Sequence, residues 1–377
     1  MVRMGMAAKP IDNLDEALRR AYPELDAVRD AAEAPVYLVG GAVRDLLLGR
    51  DRADIDLVVV GDAAALAAAL GAKTVEHERF ATAEARLDGH EVDIATARAE
   101  TYPDPGALPE VEPAAGVETD LARRDFTINA MAIPLRDEPE LIDPHDGRVD
   151  LEAGLLRVLH PGSFADDPTR ALRAARYAAR FGFEPEPETA ELLRVADLGT
   201  VSADRRRADL LRLAAEPEAV RGFELLAEWG LVELRADGVE LAGRVAALLA
   251  QAPWREVAPR DRAVLAAALG SPGSERELAE TRPGLPSEAV DLAGRRDPVE
   301  LALARTLGAE WLDRYLLEWR NVKLEIDGDD LIAAGIPEGP AVGRGLAEAL
   351  RRKLDGEIDG RDAELEVALA TAGGEAG

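Results

Sequence analysis

The 377-residue chain predicts an α+β protein: a mixed β-sheet in its N-terminal part, then a long all-helical remainder. Short apolar, β-branched runs at Val36–Val39 and Ile55–Val60, and a hairpin pattern around Leu87, Asp88 and Gly89, all fall early in the chain. From Ser202 onward apolar residues recur at helical spacing, broken by clusters such as Ser271-Pro272-Gly273 and Arg282-Pro283-Gly284. Apolar residues make up 47% of the chain, enough for a substantial core. The length suits roughly two to four structural units.

Composition narrows the classes further. No apolar run approaches the ~20 residues of a membrane-spanning helix, and the N-terminus lacks a signal-peptide pattern. Without cysteine there are no disulfides and no thiolate metal sites. A soluble, cytoplasmic enzyme with no obligate protein partner is the expectation. Charge pulls the other way for one class of partner: 73 acidic against 45 basic residues give −28, which repels nucleic acid at long range. The basic residues are nearly all arginine, with only Lys9, Lys73, Lys323 and Lys353 besides. Either the acidity is a solvated surface around a local arginine-lined groove, or nucleic acid is not the partner.

In chain order, residues 11–33 read as one or two amphipathic helices. Val36–Val39 is a buried strand, Gly40 and Gly41 a tight turn, and Ala42–Leu48 the first turns of a helix. Glycines at a strand-to-helix turn let backbone N–H groups approach an anion that the helix N-terminus also attracts. The turn matches neither the dinucleotide fingerprint nor the P-loop. Asp54 and Asp56 open the next β-rich run, and residues i and i+2 of a strand share a face. Two adjacent carboxylates repel unless a cation lies between them, and the natural one is Mg²⁺, which prefers oxygen ligands and substrate phosphates. A solvated turn also presents Asp-x-Asp. Beside the Gly40-Gly41 turn, however, the pair describes a nucleotidyltransferase palm. Ala63–Leu70 is an alanine-rich helix, and Phe80–Arg86 with His90–Ala97 a hairpin. Asp93 on its second strand is either a third carboxylate near the metal or an ordinary strand-surface residue.

Residues 99–118, rich in Pro, Gly and Glu, read as a long loop of the functional or mobile kind. In the run Asp120–Ala130, charged residues precede apolar ones, which puts Arg123, Arg124 and Asp125 at one end of a buried element. Arg124 suits a triphosphate and Asp125 a ribose hydroxyl; in isolation the trio is equally a surface ion pair. Leu141–Leu151 reads as strand, turn and strand, turned at Pro144 and Gly147. His145 and Asp146 form a plain turn, since the chain has four His and none after His160. Pro168 then opens a basic helix carrying Arg170, Arg173, Arg176 and Arg180. Asp167 and Arg170, three apart, offer an acceptor beside a fork of donors. C and A both present an exocyclic amine next to a ring-nitrogen acceptor, and G and U the reverse, so such a pair reads C or A without a template. Arg173 and Arg176 extend the stripe toward phosphates. A helix cap with an i,i+3 salt bridge is the plainer account of the same residues. Ser202 caps a further helical stretch running to Trp229. Trp254, Trp311 and Trp319 read as core anchors. The run Asp327–Pro340 is a glycine-rich turn and helix, suited to a phosphate backbone or to simple capping.

The motifs Gly40-Gly41-x-x-Arg44-Asp45, Asp54-x-Asp56, Arg123–Ala130, Asp143-Pro144…Gly147…Asp150-Leu151 and Asp166–Arg170 follow one another in a characteristic order. In this the chain resembles the class II CCA-adding tRNA nucleotidyltransferases and bacterial poly(A) polymerases of the DNA polymerase β superfamily, most densely over residues 36–215. The resemblance implies a nucleotidyltransferase head (1–160), a helical neck with the base-reading motif (161–235), a helical body (236–320) and a helical, tRNA-binding tail (321–377). It implies that Asp54 and Asp56 hold Mg²⁺ and are catalytic. Gly40, Gly41, Arg44, Arg124 and Asp125 would bind the nucleotide, Asp167 and Arg170 would read its base, and Arg173 and Arg176 would support them. The substrates would be ATP, CTP and the tRNA 3′ end and acceptor stem, with full CCA addition ahead of A-only, CC-only or poly(A) synthesis. A catalytically idle RNA-binding protein is the alternative from another class. Two departures stand out: Asp166 opens the base-reading motif where the family has Glu, and Asp204 and Asp209 likewise replace Glu.

Overall fold

The computed structural model describes residues 13–50, 54–71, 82–271 and 273–373. The chain divides at Val232/Glu233 into two compact units. The first opens with two short helices, α1 (Leu14–Ala21), capped by the Asn13 side chain, and α2 (Leu25–Ala31). Strand β1 (Val36–Val39) then turns through Gly40 into α3 (Gly41–Leu47), and β2 (Ile55–Val59) leads to α4 (Ala63–Ala69). The hairpin of β3 (Thr82–Leu87) and β4 (His90–Thr96) turns at Asp88 and Gly89, both at positive φ, as an Asp-Gly hairpin turn requires. Phe80 and Ala81, expected in its first strand, lie outside the described residues.

The expected loop over 99–118 is instead a second hairpin, β5 (Arg98–Thr101) with β6 (Glu110–Pro113), followed by α5 (Val117–Ala122). Most of its Pro and Gly residues fall in the connection, with Pro113 ending β6 and Gly116 just before α5, and this density is why composition read the whole segment as loop. Strand β7 (Ala132–Pro134) completes a five-stranded sheet of order β3-β4-β2-β1-β7. The sheet is mixed: β2 and β4 are parallel and the other neighbours antiparallel. Val117 and Leu121 of α5 pack with Val39, Val58 and Ala132, so one face of the sheet is buried against that helix. The motif between Asp120 and Ala130 therefore hangs at the sheet's edge on a helix end and a short 3₁₀ turn.

A further difference lies at 141–151. Ile142 bridges Ala132, but the expected second strand is helix α6 (Gly147–Ala153), capped by Asp143, whose carboxylate accepts from the backbone N–H of Gly147 and Arg148. Gly147 marks a close approach: a Cβ there would overlap the Thr127 carbonyl oxygen and stand 2.8 Å from its carbon. After β8 (Leu155–Leu156) and the single turn α7 (Ser163–Asp166), the chain is extended at Asp167 and re-enters helix at Pro168 as α8 (Thr169–Phe181). Then come β9 (Glu184–Pro185), α9 (Pro187–Arg194), α10 (Ala203–Ala215), capped by Ser202, and α11 (Ala219–Glu228). The stretch expected to run unbroken to Trp229 is thus two helices, α10 and α11, and both pack on α8.

The second unit is helical among its described residues. Its helices are α12 (Gly238–Leu249), α13 (Arg260–Leu269), α14 (Ser274–Glu280), α15 (Pro286–Ala293), α16 (Pro298–Leu307), α17 (Trp311–Leu317), α18 (Gly328–Ala333), α19 (Pro340–Leu354) and α20 (Arg361–Gly373). Trp254 is buried, and its indole N–H donates to Asp313 Oδ1 at 2.7 Å. Trp311 and Trp319 are only partly buried, so of the expected anchors Trp254 alone sits fully in the core. Asp327 forms a capping box with Asp330 on α18, and Leu331, Ala349 and Ala368 build a small core of their own. No helix of the described residues is long and apolar enough to cross a membrane.

The Gly147 contact yields a test of the fold. Gly147→Ala forces a methyl against backbone that cannot move aside, and should destabilise the chain by about 1–3 kcal/mol. Thermal unfolding should show a drop of several degrees, whereas Gly71→Ala, where a Cβ meets nothing, should cost only the strain of its positive φ.

Candidate active site

One cavity of about 640 Å³ in the first unit is lined by all the residues expected to be catalytic or to bind the nucleotide: Gly40, Gly41, Arg44, Asp54, Asp56, Arg124, Asp125, Asp167, Arg170, Arg173 and Arg176. Arg123, Asn129, Glu100, Tyr102, Tyr177, Arg180 and Asp45 complete the wall. Seven arginines face six acidic residues, nearly balanced charge in a chain of net −28. The cavity is arginine-lined, as expected of a local groove for an anionic partner, but its acids leave it close to neutral.

At the strand-to-helix turn Gly40 has φ 64°, and a Cβ on it would stand 2.5 Å from Arg124 Nη1. The arginine thus lies directly over the turn. It is held there by Asp120, wholly buried, whose Oδ2 accepts from Arg124 Nη2 at 3.0 Å while Oδ1 accepts from Arg123 Nη2 at 2.6 Å. Burial by itself would raise the Asp120 carboxyl, but the guanidiniums of Arg124 and Arg123 outweigh it and keep it below its ordinary value. Arg44 differs from expectation. It is buried, donating to Asp45 Oδ1 at 2.8 Å and Asn129 Oδ1 at 2.6 Å, with its guanidinium 4.5 Å from the Phe181 ring centroid. Arg44 lines the cavity as part of its frame.

Asp54 is exposed and Asp56 partly buried at the start of β2, and Asp56 pairs in register with Asp93 on β4. Burial, with the charges of Asp93 and Asp54 added to it, pushes the Asp56 carboxyl up to about 6 against the opposing pull of Arg124 and Arg44. Crowded oxygen donors of this kind fit a hard divalent cation. Among the described residues no three His, Cys, Asp or Glu groups converge into a protein-only cage. Asp93, exposed, does not line the cavity. Two carboxylates with room for phosphate oxygens and water match the habit of Mg²⁺.

The cavity is also lined by Asp167 and Arg170, the pair expected to read the base. Asp167 Oδ1 accepts from Thr169 N (3.0 Å), Thr169 Oγ1 (2.6 Å) and Arg205 Nη2 (3.1 Å), and Oδ2 accepts from Arg173 Nη2 at 3.1 Å. Arg170 donates through Nη1 to Ser163 Oγ and through Nη2 to the Arg123 carbonyl, at 3.0 and 2.8 Å. Its Nε is buried without a partner. One carboxylate oxygen with spare acceptor capacity and one unpaired N–H remain, and a buried donor of that kind is costly unless a ligand meets it. Arg173, expected near phosphates, instead donates through Nε to Asp125 Oδ2 at 3.1 Å as well as to Asp167, with Asp209 at 4.0 Å. Burial works against its charge, but the three carboxylates outweigh that and raise its pKa. Asp125 Oδ1 accepts from Phe126 N and Asn129 Nδ2, both at 2.9 Å, so its spare capacity toward a ribose is on Oδ2 alone. Arg176 and Arg180 have only long ion pairs, 3.9 and 3.6 Å from Glu216, with Arg176 Nη2 also donating to the Tyr177 hydroxyl at 3.4 Å and Arg180 4.0 Å from Asp45.

Sequence reasoning missed Asp120, Asn129, Ser163, Tyr102 and Arg205. Asp120 and Asn129 stood inside a quoted motif and were legible as a buried acid and amide among arginines. Arg205, on α10, becomes visible only in three dimensions.

A Gly-Gly turn under an arginine, paired carboxylates on the next strand and a polar pair opening a basic helix define a nucleotidyltransferase head continued by helices. Residues 36–157 match the family model described as the poly A polymerase head domain. The CC-adding tRNA nucleotidyltransferase of Deinococcus radiodurans is 35% identical over 373 residues, covering 96% of this chain and 93% of that protein. The A-adding tRNA nucleotidyltransferase of Halalkalibacterium halodurans is 45% identical over 204 residues, 51% of this chain and 48% of that one, so the match spans about half that relative's length. The structure of the Thermotoga maritima CCA-adding enzyme complexed with tRNA is similar with a TM-score of 0.69 and 30% identity, over 95% of this chain and 98% of that one. The chain belongs to the family of CCA-adding tRNA nucleotidyltransferases and bacterial poly(A) polymerases.

The depressed carboxyls make stability pH-dependent with a definite sign. Asp120, Asp125 and Asp167 all lie below their ordinary value of 3.8, so their contribution is present above it and is lost as pH falls through the lower folded-state values. The unfolding temperature should therefore fall steeply below about pH 4. Asp120→Ala, which takes the carboxylate partner from Arg124 and leaves Arg123 with Glu100 alone, should cost about 3–5 kcal/mol at pH 7. It should also flatten the acid limb, as unfolding measured between pH 7 and 3 would show.

Proposed function

We propose that the chain is a template-independent RNA nucleotidyltransferase that extends the 3′ end of tRNA with C and A, completing CCA from CTP and ATP. The carrying observation is the partnerless Arg170 Nε–H in a residue that lines one cavity with Asp167, Asp54 and Asp56. A base offering an amine and a ring-nitrogen acceptor satisfies both, and G or U leaves both unmet. Gly40 and Gly41 let the triphosphate approach backbone, under Arg124 held by Asp120. Arg176, only loosely paired, is free to turn toward a phosphate. Asp125 keeps one acceptor site toward the ribose. Asp54 and Asp56 would hold Mg²⁺, which supplies activation of the RNA 3′-hydroxyl and stabilises the departing pyrophosphate in an in-line displacement at the α-phosphorus. Residues 321–377 are assigned to RNA binding.

A-only addition is the second reading, and one observation favours it. A switch from C to A needs a mobile wall, and residues 99–118, expected to be a functional or mobile loop, are a hairpin whose tip is tied down: Gly106 N donates to the Ala165 carbonyl at 3.0 Å, and its own carbonyl accepts from Arg205 Nη1 at 2.8 Å. A fixed wall suits one base.

Labelled CTP and ATP, with Mg²⁺, should be offered to tRNA transcripts ending at the discriminator base, at C and at CC. Ordered addition of C, C and A that then stops is the expected result. ATP labelling of the CC-ended transcript alone establishes the second reading. Asp54→Ala or Asp56→Ala should lower turnover at least about a thousandfold with unfolding temperature nearly unchanged, because their role is electrostatic. Incorporation by Asp54→Ala equal to the parent would overturn the assignment.

A further inference from the structure

Tyr102 follows β5 and lines the cavity, partly buried, with the Arg170 guanidinium carbon 5.9 Å from its ring centroid. Its hydroxyl donates to Glu100 Oε2 at 3.0 Å. The other Glu100 oxygen is fixed by Arg98 Nε and Arg123 Nη1, at 3.1 and 2.9 Å. The ring is thus braced from its polar end. The hairpin that carries it is braced as well: Arg205 joins the Gly106 carbonyl to Asp167 Oδ1, and a Cβ on Gly106 would stand 2.7 Å from the Thr200 carbonyl oxygen. The tip and the polar pair are therefore held in one frame. The ring keeps its place beside Arg170 without help from a ligand.

We propose that Tyr102 binds the nucleobase, its ring forming the aromatic wall against which the base read by Asp167 and Arg170 packs. The proposal rests on the reading of this cavity as the nucleotide site. A base whose edge meets the Arg170 guanidinium presents its face to whatever flanks that group, and among the described residues the aromatic ring beside it is Tyr102. The hydroxyl is engaged with Glu100, so the contribution comes through the ring face. Stacking tolerates any base but grows with its area, so this wall adds affinity and favours adenine over cytosine. Discrimination against G and U stays with the polar pair.

Binding of ATP and CTP to the full chain, measured by calorimetry with Mg²⁺, is compared for the parent, Tyr102→Leu and Tyr102→Phe, alongside kcat and KM for incorporation. Tyr102→Leu should weaken ATP binding about tenfold and CTP binding less, raising KM more than it lowers kcat. Tyr102→Phe should recover most of that loss, because it keeps the ring and drops only the hydroxyl. If Tyr102→Leu binds both nucleotides like the parent, the proposal is overturned. It is overturned too if Tyr102→Phe is as defective as Tyr102→Leu, which would assign the effect to the Glu100 brace. A parent that binds neither nucleotide and extends no RNA removes the nucleotide-site reading and the Tyr102 proposal together. A parent that binds, with an indifferent Tyr102→Leu, removes the second alone.

Discussion

The guanidinium of Arg173 is what makes the sheet-borne and helix-borne halves of the cavity into one site. It rises from the second turn of α8 and meets Asp125 from the sheet side, Asp167 from the helix entry and Asp209 from α10. Three carboxylates converging on a poorly hydrated spot would repel one another strongly without a fixed positive charge among them. A buried charge is tolerable only when its partners use its donors, and here Nε, Nη1 and Nη2 are all engaged, Nη1 with Thr169 Oγ1. The cost of desolvating this group is offset only while all the partners stay in place. Asp167, the carboxylate expected to read the base, and Asp125, the one expected to face the ribose, are therefore set relative to each other by a residue that bonds to both.

That arrangement explains which parts of the site were legible in the sequence. Residue types, spacing and order were enough to bring together the paired carboxylates, the glycine turn and the Asp167–Arg170 pair, because each is local and each needs particular chemistry. The division of labour among the arginines was not legible. Arg44, Arg124, Arg173 and Arg176 look alike in a string, yet Arg44 and Arg173 are locked into the frame, Arg124 is aimed by Asp120 and Arg176 is loosely held. Which role an arginine takes depends on acids distant in sequence: Asp125 lies 48 residues from Arg173, and Asp167 lies 38 from Arg205.

The fold was legible on the same terms. Mixed sheet first and helices afterwards followed from β-branched runs and from helical periodicity. The two segments misread, 99–118 and 147–151, fail for opposite reasons. In the first, strands β5 and β6 are short, two-stranded and partly exposed, so they lack the apolar alternation that marks a core strand. In the second, Gly147 carried the signal of a turn, but it is there because the Thr127 backbone leaves no room for a side chain at a helix start.

The chain's acidity becomes intelligible once the cavity is considered by itself. A surface charge acts over roughly 8 Å at physiological ionic strength, so a net −28 spread over the chain governs distant approach and little else. Within the cavity, seven arginines against six acids leave a small net charge, and most of those arginines are bound to acids already. A bare triphosphate would find few free donors and several carboxylates. The crowding of Asp54 and Asp56 suits a cation that would meet part of the anion's charge: Asp56 is pushed up to about 6, by burial and by Asp93 and Asp54, in spite of Arg124 and Arg44, and a divalent cation would relieve it further. On the proposed reading, recognition would divide into two separable parts, the phosphates met at Asp54 and Asp56 with the cation they would hold, and the base met by Asp167 and Arg170. Each part is weak alone, and only a nucleotide long enough to reach both would engage them together.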